Sequence, residues 1–509
     1  MSGVAMRSTS VPIAHPDSLF VDGKWVRPES GGGIDVIDPS TEKVYVRVAD
    51  ATEADIDRAV AAARAAFDHG PWPRLTHAER SVYLRAMGAA LRARVDDIAQ
   101  IWPSEMGSTH AVAHAFAGTI GDVYDYYADL ADTFPFEERF DDPPGGGRLA
   151  LLVREPVGVV GAIVPWNAAI NIMAYKIAPA LLAGCTVVLK SSPEAPGAGY
   201  VMAEIAEQIG LPPGVLNVVT ADRGPSERLV RHPDVDKITF TGSLAAGRQI
   251  AGIAADRIAR ITLELGGKSA AVVLDDYDVA TAAADIAAYA CLLTGQVCSA
   301  LSRIIVTRDR HDELVDALAA EFAGVTVGDP FDAATGMGPI ATRRQLEKVE
   351  RYVHAGVAEG ARLAFGGGKP TGLTRGWFFE PTVLAEVDNA ATVAREEIFG
   401  PVLSVIPADN EDHALELAND TNFGLNNSVF THDPDRAYTV ARRLRSGTVG
   451  HNVFRSDMRI GFGGFKQSGL GREGGVDGLR PFLENKTVIL DAVPAHIPTP
   501  TPADDGSTR

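Results

Sequence analysis

Gly295-Gln296-Val297-Cys298 holds the residue type best suited to covalent chemistry. Cys298 lies among Thr294, Gly295, Gln296, Ser299 and Ala300. Small neighbours leave room for a substrate carbonyl, and backbone N–H groups beside the sulfur can face a developing oxyanion. A thiolate is a strong nucleophile, but free cysteine has a pKa of about 8.5, so such a site must favour ionisation. The alternative is a cysteine used as one more small, buried apolar residue. Upstream, Glu264-Leu265-Gly266-Gly267-Lys268 offers a carboxylate between Ile261-Thr262-Leu263 and Leu265-Gly266-Gly267, flanks that suggest burial over a solvent-facing charge. A buried carboxylate has a raised pKa, which suits general-base work near neutrality.

Elements able to position these residues are legible in outline. Thr52-Glu53-Ala54-Asp55 resembles a capping-box start, followed by Ile56, Ala59, Val60, Ala63 and Phe67 at helical spacing. Thr76-His77-Ala78-Glu79 repeats the signal ahead of a long helix running toward Ile101. From about residue 159, short apolar runs (159–164, 186–190, 215–219, 237–241) alternate with helical segments. Gly210 stops one of these, and Leu211-Pro212-Pro213-Gly214 turns the chain into the next strand. Such alternation predicts a parallel sheet in a nucleotide-binding α/β domain. A second α/β region follows from about 264 to 465, with strands at 269–274 and 303–307. Segments 148–160 and 486–490 are extended candidates that could pair at a subunit boundary.

At 509 residues the chain is too long for one core, so two or three domains are expected. Apolar content of 46% and charged content of 22% are those of an ordinary globular protein. A net charge of −19 argues against nucleic acid or an anionic membrane as partner. The most apolar stretch, 178–189, is short and broken by Pro179 and Gly184, so no membrane span is expected. The N-terminus lacks the apolar run of a secretory signal, and three cysteines make no disulfide framework, so a cytoplasmic setting is expected. The 12 histidines form no ligand-spaced cluster, and no metal is expected. Residues 1–16 and 496–509 read as flexible tails. The one GxGxxG match, Gly469 to Gly474, follows a polar glycine-rich loop instead of a strand, which rules it out as a dinucleotide loop.

Other segments carry the specific signal: Pro165-Trp166-Asn167, Lys190, Phe240-Thr241-Gly242-Ser243, Glu264 to Lys268, Gly295 to Cys298, Glu396-Glu397-Ile398-Phe399-Gly400-Pro401 and Phe462-Gly463-Gly464-Phe465-Lys466-Gln467-Ser468-Gly469. In order and spacing this set resembles the aldehyde dehydrogenase superfamily over roughly residues 17–495. The resemblance implies a Rossmann-type cofactor domain (17–133 and 155–263), an α/β catalytic domain (264–465) and a small β oligomerisation element (134–154 and 482–495), assembled as a homodimer or homotetramer. It implies oxidation of an aldehyde to its acid with NAD(P) through a cysteine thiohemiacetal and thioester. In that scheme Cys298 is the nucleophile, Asn167 the oxyanion donor beside the Cys298 backbone N–H, and Glu264 the base for water. Cofactor contacts are expected from Ile163, Trp166, Lys190, Glu194, Gly242, Ser243, Gly247, Leu265, Glu397 and Phe399. Taken alone, Asn167 also suits a turn, and Glu397 a solvated surface. Relatives preferring NAD commonly carry a glutamate three residues after the lysine. Here that position is Pro193, with Glu194 one step later, so NAD is expected if Glu194 substitutes and NADP is tolerated if it does not. The CoA-dependent branch generally lacks a carboxylate at Glu264, which argues against an acylating enzyme. Intact Cys298, Asn167 and Glu264 argue against a catalytically silent homologue.

The aldehyde is less legible. The resemblance points to Ala168, Tyr175, Val297, Ser299 and the loop from Asn452 to Phe462. Ala168 falls where relatives often carry an aromatic residue, and the loop is about one residue shorter than usual, with Gly461 replacing a frequent proline. Arg455 or Arg459 could clamp a distal carboxylate and select a semialdehyde, or be solvated or salt-bridged on the loop. Val297, Phe454, Met458 and Ile460 suit an apolar or aromatic aldehyde. Lys176 and Glu473 match positions linked to proton movement in some relatives, with surface roles as the alternative.

Overall fold

The apolar runs between 159 and 264 form parallel strands of an eight-stranded sheet in a computed structural model that describes residues 10–495 and Ile497. Val159–Ile163 lies at its centre, paired with Thr186–Ser191 on one side and Lys237–Thr241 on the other. The chain runs outward through Thr186–Ser191 and Leu216–Thr220, then returns across the sheet to Lys237–Thr241 and Arg260–Glu264. The order of connection therefore reverses beside Val159–Ile163, and a crevice opens at the carboxyl ends of the strands flanking that point. The rejected Gly469–Leu470 segment is an antiparallel edge strand paired with Leu263 and Glu264.

A seven-stranded sheet follows, with Ser269–Val273 between Leu301–Thr307 and Asn426–Phe430. The extended candidates pair with each other within the chain. Leu483–Leu490 runs antiparallel to Leu149–Pro156, with Lys486 opposite Val153, and Glu137–Asp141 completes a three-stranded sheet.

Both capping boxes form, at Thr52/Asp55 ahead of helix Glu53–Asp68 and at Thr76/Glu79 ahead of His77–Ala93. The long helix expected to reach Ile101 is two. Arg94 leaves helical geometry at φ −109°, ψ 14°, and a second helix, Val95–Met106, begins after it. The Arg94 guanidinium bonds Glu204 at 2.8 Å and the Pro12 carbonyl at 2.9 Å, so tertiary contacts fix the break. Part of the expected N-terminal tail is also held: Ala14 N–H donates to Glu204, and the Pro16 carbonyl accepts from Ala49 N–H and the Tyr200 hydroxyl. Residues 1–9, 496 and 498–509 of the expected tails lie outside the described residues. Among the described residues no helix is long and apolar enough to cross a membrane. Helix Ala169–Ala183 is instead a buried core helix, ended by Gly184 at φ +98°.

Candidate active site

Cys298 sits at the end of a strained turn. Leu293, Thr294 and Gly295 have φ of +48°, +56° and +68° in succession, a left-handed run that only strong local contacts hold in place. Those contacts are visible. The Gln296 side chain donates to the Leu293 carbonyl and accepts from Ala341 N–H, both at 3.0 Å, and the Thr294 hydroxyl donates to the Gly338 carbonyl at 3.1 Å. A side chain at Gly295 would lie 2.4 Å from the Gly400 backbone, so this glycine lets the 396–401 segment press on the turn. At Gly267 a Cβ would meet the Cys298 carbonyl at 2.5 Å, which brings the Glu264–Lys268 segment against the same loop.

Asn167 is buried at the mouth of helix Ala169–Ala183, not in an open turn. Its Nδ2 donates to the Gln296 carbonyl at 3.0 Å, and its own carbonyl accepts from Trp102 Nε1 at 2.9 Å. One amide hydrogen thus remains uncommitted beside the Cys298 loop.

Glu264 is 3% exposed, and neither carboxylate oxygen has a hydrogen-bond partner. Burial, then the Glu473 carboxylate, pushes it well above the usual carboxylate range, with Lys176 and Arg472 pulling the other way. Lys176 and Glu473 do not lie at the surface. Both are buried and ion-paired, with Lys176 also bonded to the Thr239 hydroxyl at 3.2 Å. Position explains this: Lys176 points from the core helix to the strand beside Glu264.

The Cys298 side chain is half-buried, and two carboxylates act on its thiol. Burial, then the carboxylates of Glu264 and Glu397, pushes it up to about 12. No cation offsets the desolvation of the sulfur, so ionisation needs a proton acceptor, and Glu264 has the raised proton affinity for that role.

A cavity of about 750 Å³ runs from Lys190 to Cys298, within the range of cofactor pockets. Ile163, Trp166, Lys190, Glu194, Gly242, Ser243, Leu265, Glu397 and Phe399 line it, and Asn167 and Cys298 close its inner end. Gly247 does not line it. A Cβ there would stand 2.5 Å from Leu265 Cδ2, so this glycine lets its helix support Leu265 from behind. These residues fit a dinucleotide. Ser243 caps helix Leu244–Arg257 by accepting from Ala246 N–H, and with Ala245 and Ala246 it lines the cavity, which puts a helix N-terminus at the cavity wall, where anions are favoured. Lys190, lowered to about 8 chiefly by burial, has only a long contact to the Ala221 carbonyl at 3.5 Å and keeps donors free. Glu397 is half-buried and accepts from Gly267 N–H at 3.1 Å. Phe399, at φ +62°, meets Trp166 edge-on at 5.4 Å. Gln345 holds that backbone through the Ile398 and Phe399 carbonyls at 2.9 and 2.8 Å, and it shares the cavity wall with Lys348. Neither residue carries a local sequence signal, because polar residues on an amphipathic helix look alike whichever surface they face.

The expected substrate residues lie away from this cavity. Ala168 caps the core helix, and Ala168, Tyr175 and Val297 pack, partly buried, against one apolar cluster. The Ser299 hydroxyl bonds that of Tyr289 at 3.0 Å. Phe462 acts through its backbone, exchanging hydrogen bonds with Glu473 at 2.6 and 2.8 Å. Arg455 is exposed, and Arg459 is committed to Asp457, Nε to Oδ1 at 2.9 Å. A carboxylate clamp at Arg459 would have to displace that pair.

Comparison with known proteins agrees with this geometry. Residues 25–488 match the aldehyde dehydrogenase family. A geranial dehydrogenase from Castellaniella defragrans is 44% identical over 93% of this chain and 98% of its own length. A 3-succinoylsemialdehyde-pyridine dehydrogenase from a Pseudomonas species is 42% identical over 92% and 98%. Among solved structures, a Mycobacterium tuberculosis aldehyde dehydrogenase complexed with NAD+ superposes with a TM-score of 0.91 at 41% identity, over 95% of this chain and 99% of its own. A Pseudomonas syringae aldehyde dehydrogenase variant complexed with NAD+ and octanal gives 0.92 at 38% identity, over 96% and 99%. With a matching fold, coverage of nearly the whole chain and a cysteine at the end of a dinucleotide-sized cavity, this chain belongs to the aldehyde dehydrogenase family.

Proposed function

We propose that the protein oxidises an aldehyde to the free carboxylic acid with NAD, with Cys298 as nucleophile, Asn167 as oxyanion donor and Glu264 as base. The observation that carries this reading is the convergence of Cys298 and Asn167 at the inner end of the cavity lined by Lys190, Ser243, Glu397 and Phe399. Bound there, the nicotinamide supplies the hydride acceptor. Glu264 takes the thiol proton, the thiolate adds to the aldehyde carbon, and the uncommitted Asn167 N–H faces the new oxyanion. After hydride loss leaves a thioester, Glu264 gives up the thiol proton to solvent, then removes a proton from the attacking water and returns it to the departing thiolate as the acid leaves. NAD is supported by the cofactor in the solved relatives.

The domain division at 17–133 with 155–263, 264–465, and 134–154 with 482–495 goes with this reading, as do a homodimer or homotetramer and a cytoplasmic location. Assembly is supported by apolar groups left uncovered on the three-stranded sheet, Phe140 at 52% and Ile489 at 58% exposed.

Purified protein given NAD and an aldehyde without CoA should yield reduced nicotinamide and free acid in equal amounts. A product that forms only as a CoA thioester would replace this reading with the acylating one. Cofactor choice has its own test. The Glu194 carboxylate, held by the Ser192 hydroxyl and 3.6 Å from Arg344, lines the end of the cavity that also holds Lys190. There it accepts from ribose hydroxyls and repels a 2′-phosphate. Glu194→Ala should lower the NAD-to-NADP ratio of kcat/KM by about tenfold, the scale of one lost charged hydrogen bond. An unchanged ratio would remove Glu194 from cofactor selection.

A further inference from the structure

Cys298 shares the wall of the dinucleotide cavity with Trp166, Asn167, Gly266 and Phe399, so with a cofactor bound there the side chain of an aldehyde on the sulfur has to extend out of that cavity. Tyr289, which does not line that cavity, stands in the last turn of helix Val279–Cys291. Its hydroxyl shares a 3.0 Å hydrogen bond with that of Ser299, the residue after the nucleophile. Its ring stacks on Phe454 with centroids 5.1 Å apart and planes 17° from parallel. Both partners are anchored. Ser299 is 3% exposed and its carbonyl accepts from Asn426 Nδ2 at 3.3 Å. Before Phe454, Asn452 N–H donates to the Val429 carbonyl at 2.8 Å and the Val453 carbonyl accepts from the Ser428 hydroxyl at 3.0 Å.

We propose that Tyr289 and Phe454 form a stacked aromatic wall beside Cys298, tied to the nucleophile's loop by the Ser299 hydroxyl, and that this wall selects aldehydes with flat or extended apolar side chains. The inference rests on Cys298 being the nucleophile. The flank Val297 and the loop residue Met458 are also apolar and pack on the same cluster as Tyr175. Of the two loop arginines that could favour an anionic substrate, Arg459 is paired with Asp457 and Arg455 is exposed. A ring presented edge-fixed at the nucleophile rewards a planar conjugated substrate through stacking and apolar burial, whereas a short aliphatic aldehyde reaches neither ring.

The test compares kcat/KM for trans-cinnamaldehyde and propanal in Tyr289→Leu, Phe454→Leu, the double variant and Tyr289→Phe. Each leucine variant should lower the cinnamaldehyde-to-propanal ratio about tenfold, mainly through the KM for cinnamaldehyde. The double variant should lose no more than the worse single one, because either change dismantles the same stack. Tyr289→Phe keeps the ring and loses only the tie to Ser299, so it should lower the ratio less than either leucine variant. Equal losses on both aldehydes, or losses that multiply in the double variant, would overturn the wall. If Tyr289→Leu does not fold, Phe454→Leu on the partly exposed loop decides the matter alone. Cys298→Ala separates the two claims: a variant still turning over sinks the nucleophile reading, and a dead one with unmoved ratios in the others sinks only the wall.

Discussion

Cys298→Ala should reduce aldehyde-dependent formation of reduced nicotinamide by at least about 10⁴-fold with every aldehyde, because no covalent adduct can form and no other group at the inner end of the cavity can replace the sulfur. Cys185 and Cys291 are both buried and cannot substitute. NAD binding, read by fluorescence titration, should persist, since the contacts expected at Lys190, Ser243 and Glu397 are untouched. The same site predicts an uncommon alkylation profile. With the thiol pushed up to about 12 by burial and the carboxylates of Glu264 and Glu397, the sulfur is protonated at neutral pH in the free protein. Iodoacetamide should therefore modify Cys298 slowly at pH 7, with a rate that climbs through pH 9 and above. Fast labelling at pH 7 would show an activating charge that the geometry lacks.

Glu264→Gln should have the second large effect, a fall of about 10²–10⁴-fold in steady-state turnover, the usual contribution of a positioned base. Glutamine cannot accept a proton from water, so the enzyme should stall as its thioester. A burst of reduced nicotinamide equal to the number of sites should survive, slowed at neutral pH and faster as rising pH ionises the thiol directly. The wild-type pH profile follows from the direction of the shift. Burial and Glu473 raise the Glu264 carboxyl, so the base is lost below its raised pKa. Activity should rise with pH through that value, at a higher pH than an ordinary carboxylate would give, and the limb should vanish in Glu264→Gln. A variant with normal turnover, or one with no burst at any pH, would exclude this role.

Much of this was legible before any coordinates. The strands at 159–163, 186–191 and 237–241 announce themselves because strands buried on both faces of a parallel sheet need unbroken apolar runs. The motif glycines have physical meanings that motif matching alone does not give. A Cβ at Gly267 or Gly295 would stand about 2.5 Å from neighbouring backbone, so both glycines permit close approach, whereas Gly247 supports Leu265 from behind the cavity wall. What stayed hidden depends on partners distant in sequence. Arg94 breaks a helix by reaching Glu204, a contact 110 residues away. Lys176 and Glu473 look like surface charges until the core helix and the edge strand bring them together beside Glu264. Arg459 looks free until Asp457 pairs with it. Tyr289 had no signal at all, since a tyrosine near the end of an alanine-rich helix is commonplace. Its role comes from where Phe454 and Ser299 meet it.

The central claim is a thioester on Cys298, and intact-mass spectrometry with peptide mapping tests it most directly. Glu264→Gln would be mixed with NAD and trans-cinnamaldehyde, quenched in acid and digested. One cinnamoyl group per chain, on the peptide containing Cys298, is the expected result. A chain with no adduct despite full reduction of one NAD per site, or an adduct mapped to Cys291 or Cys185, would contradict the account.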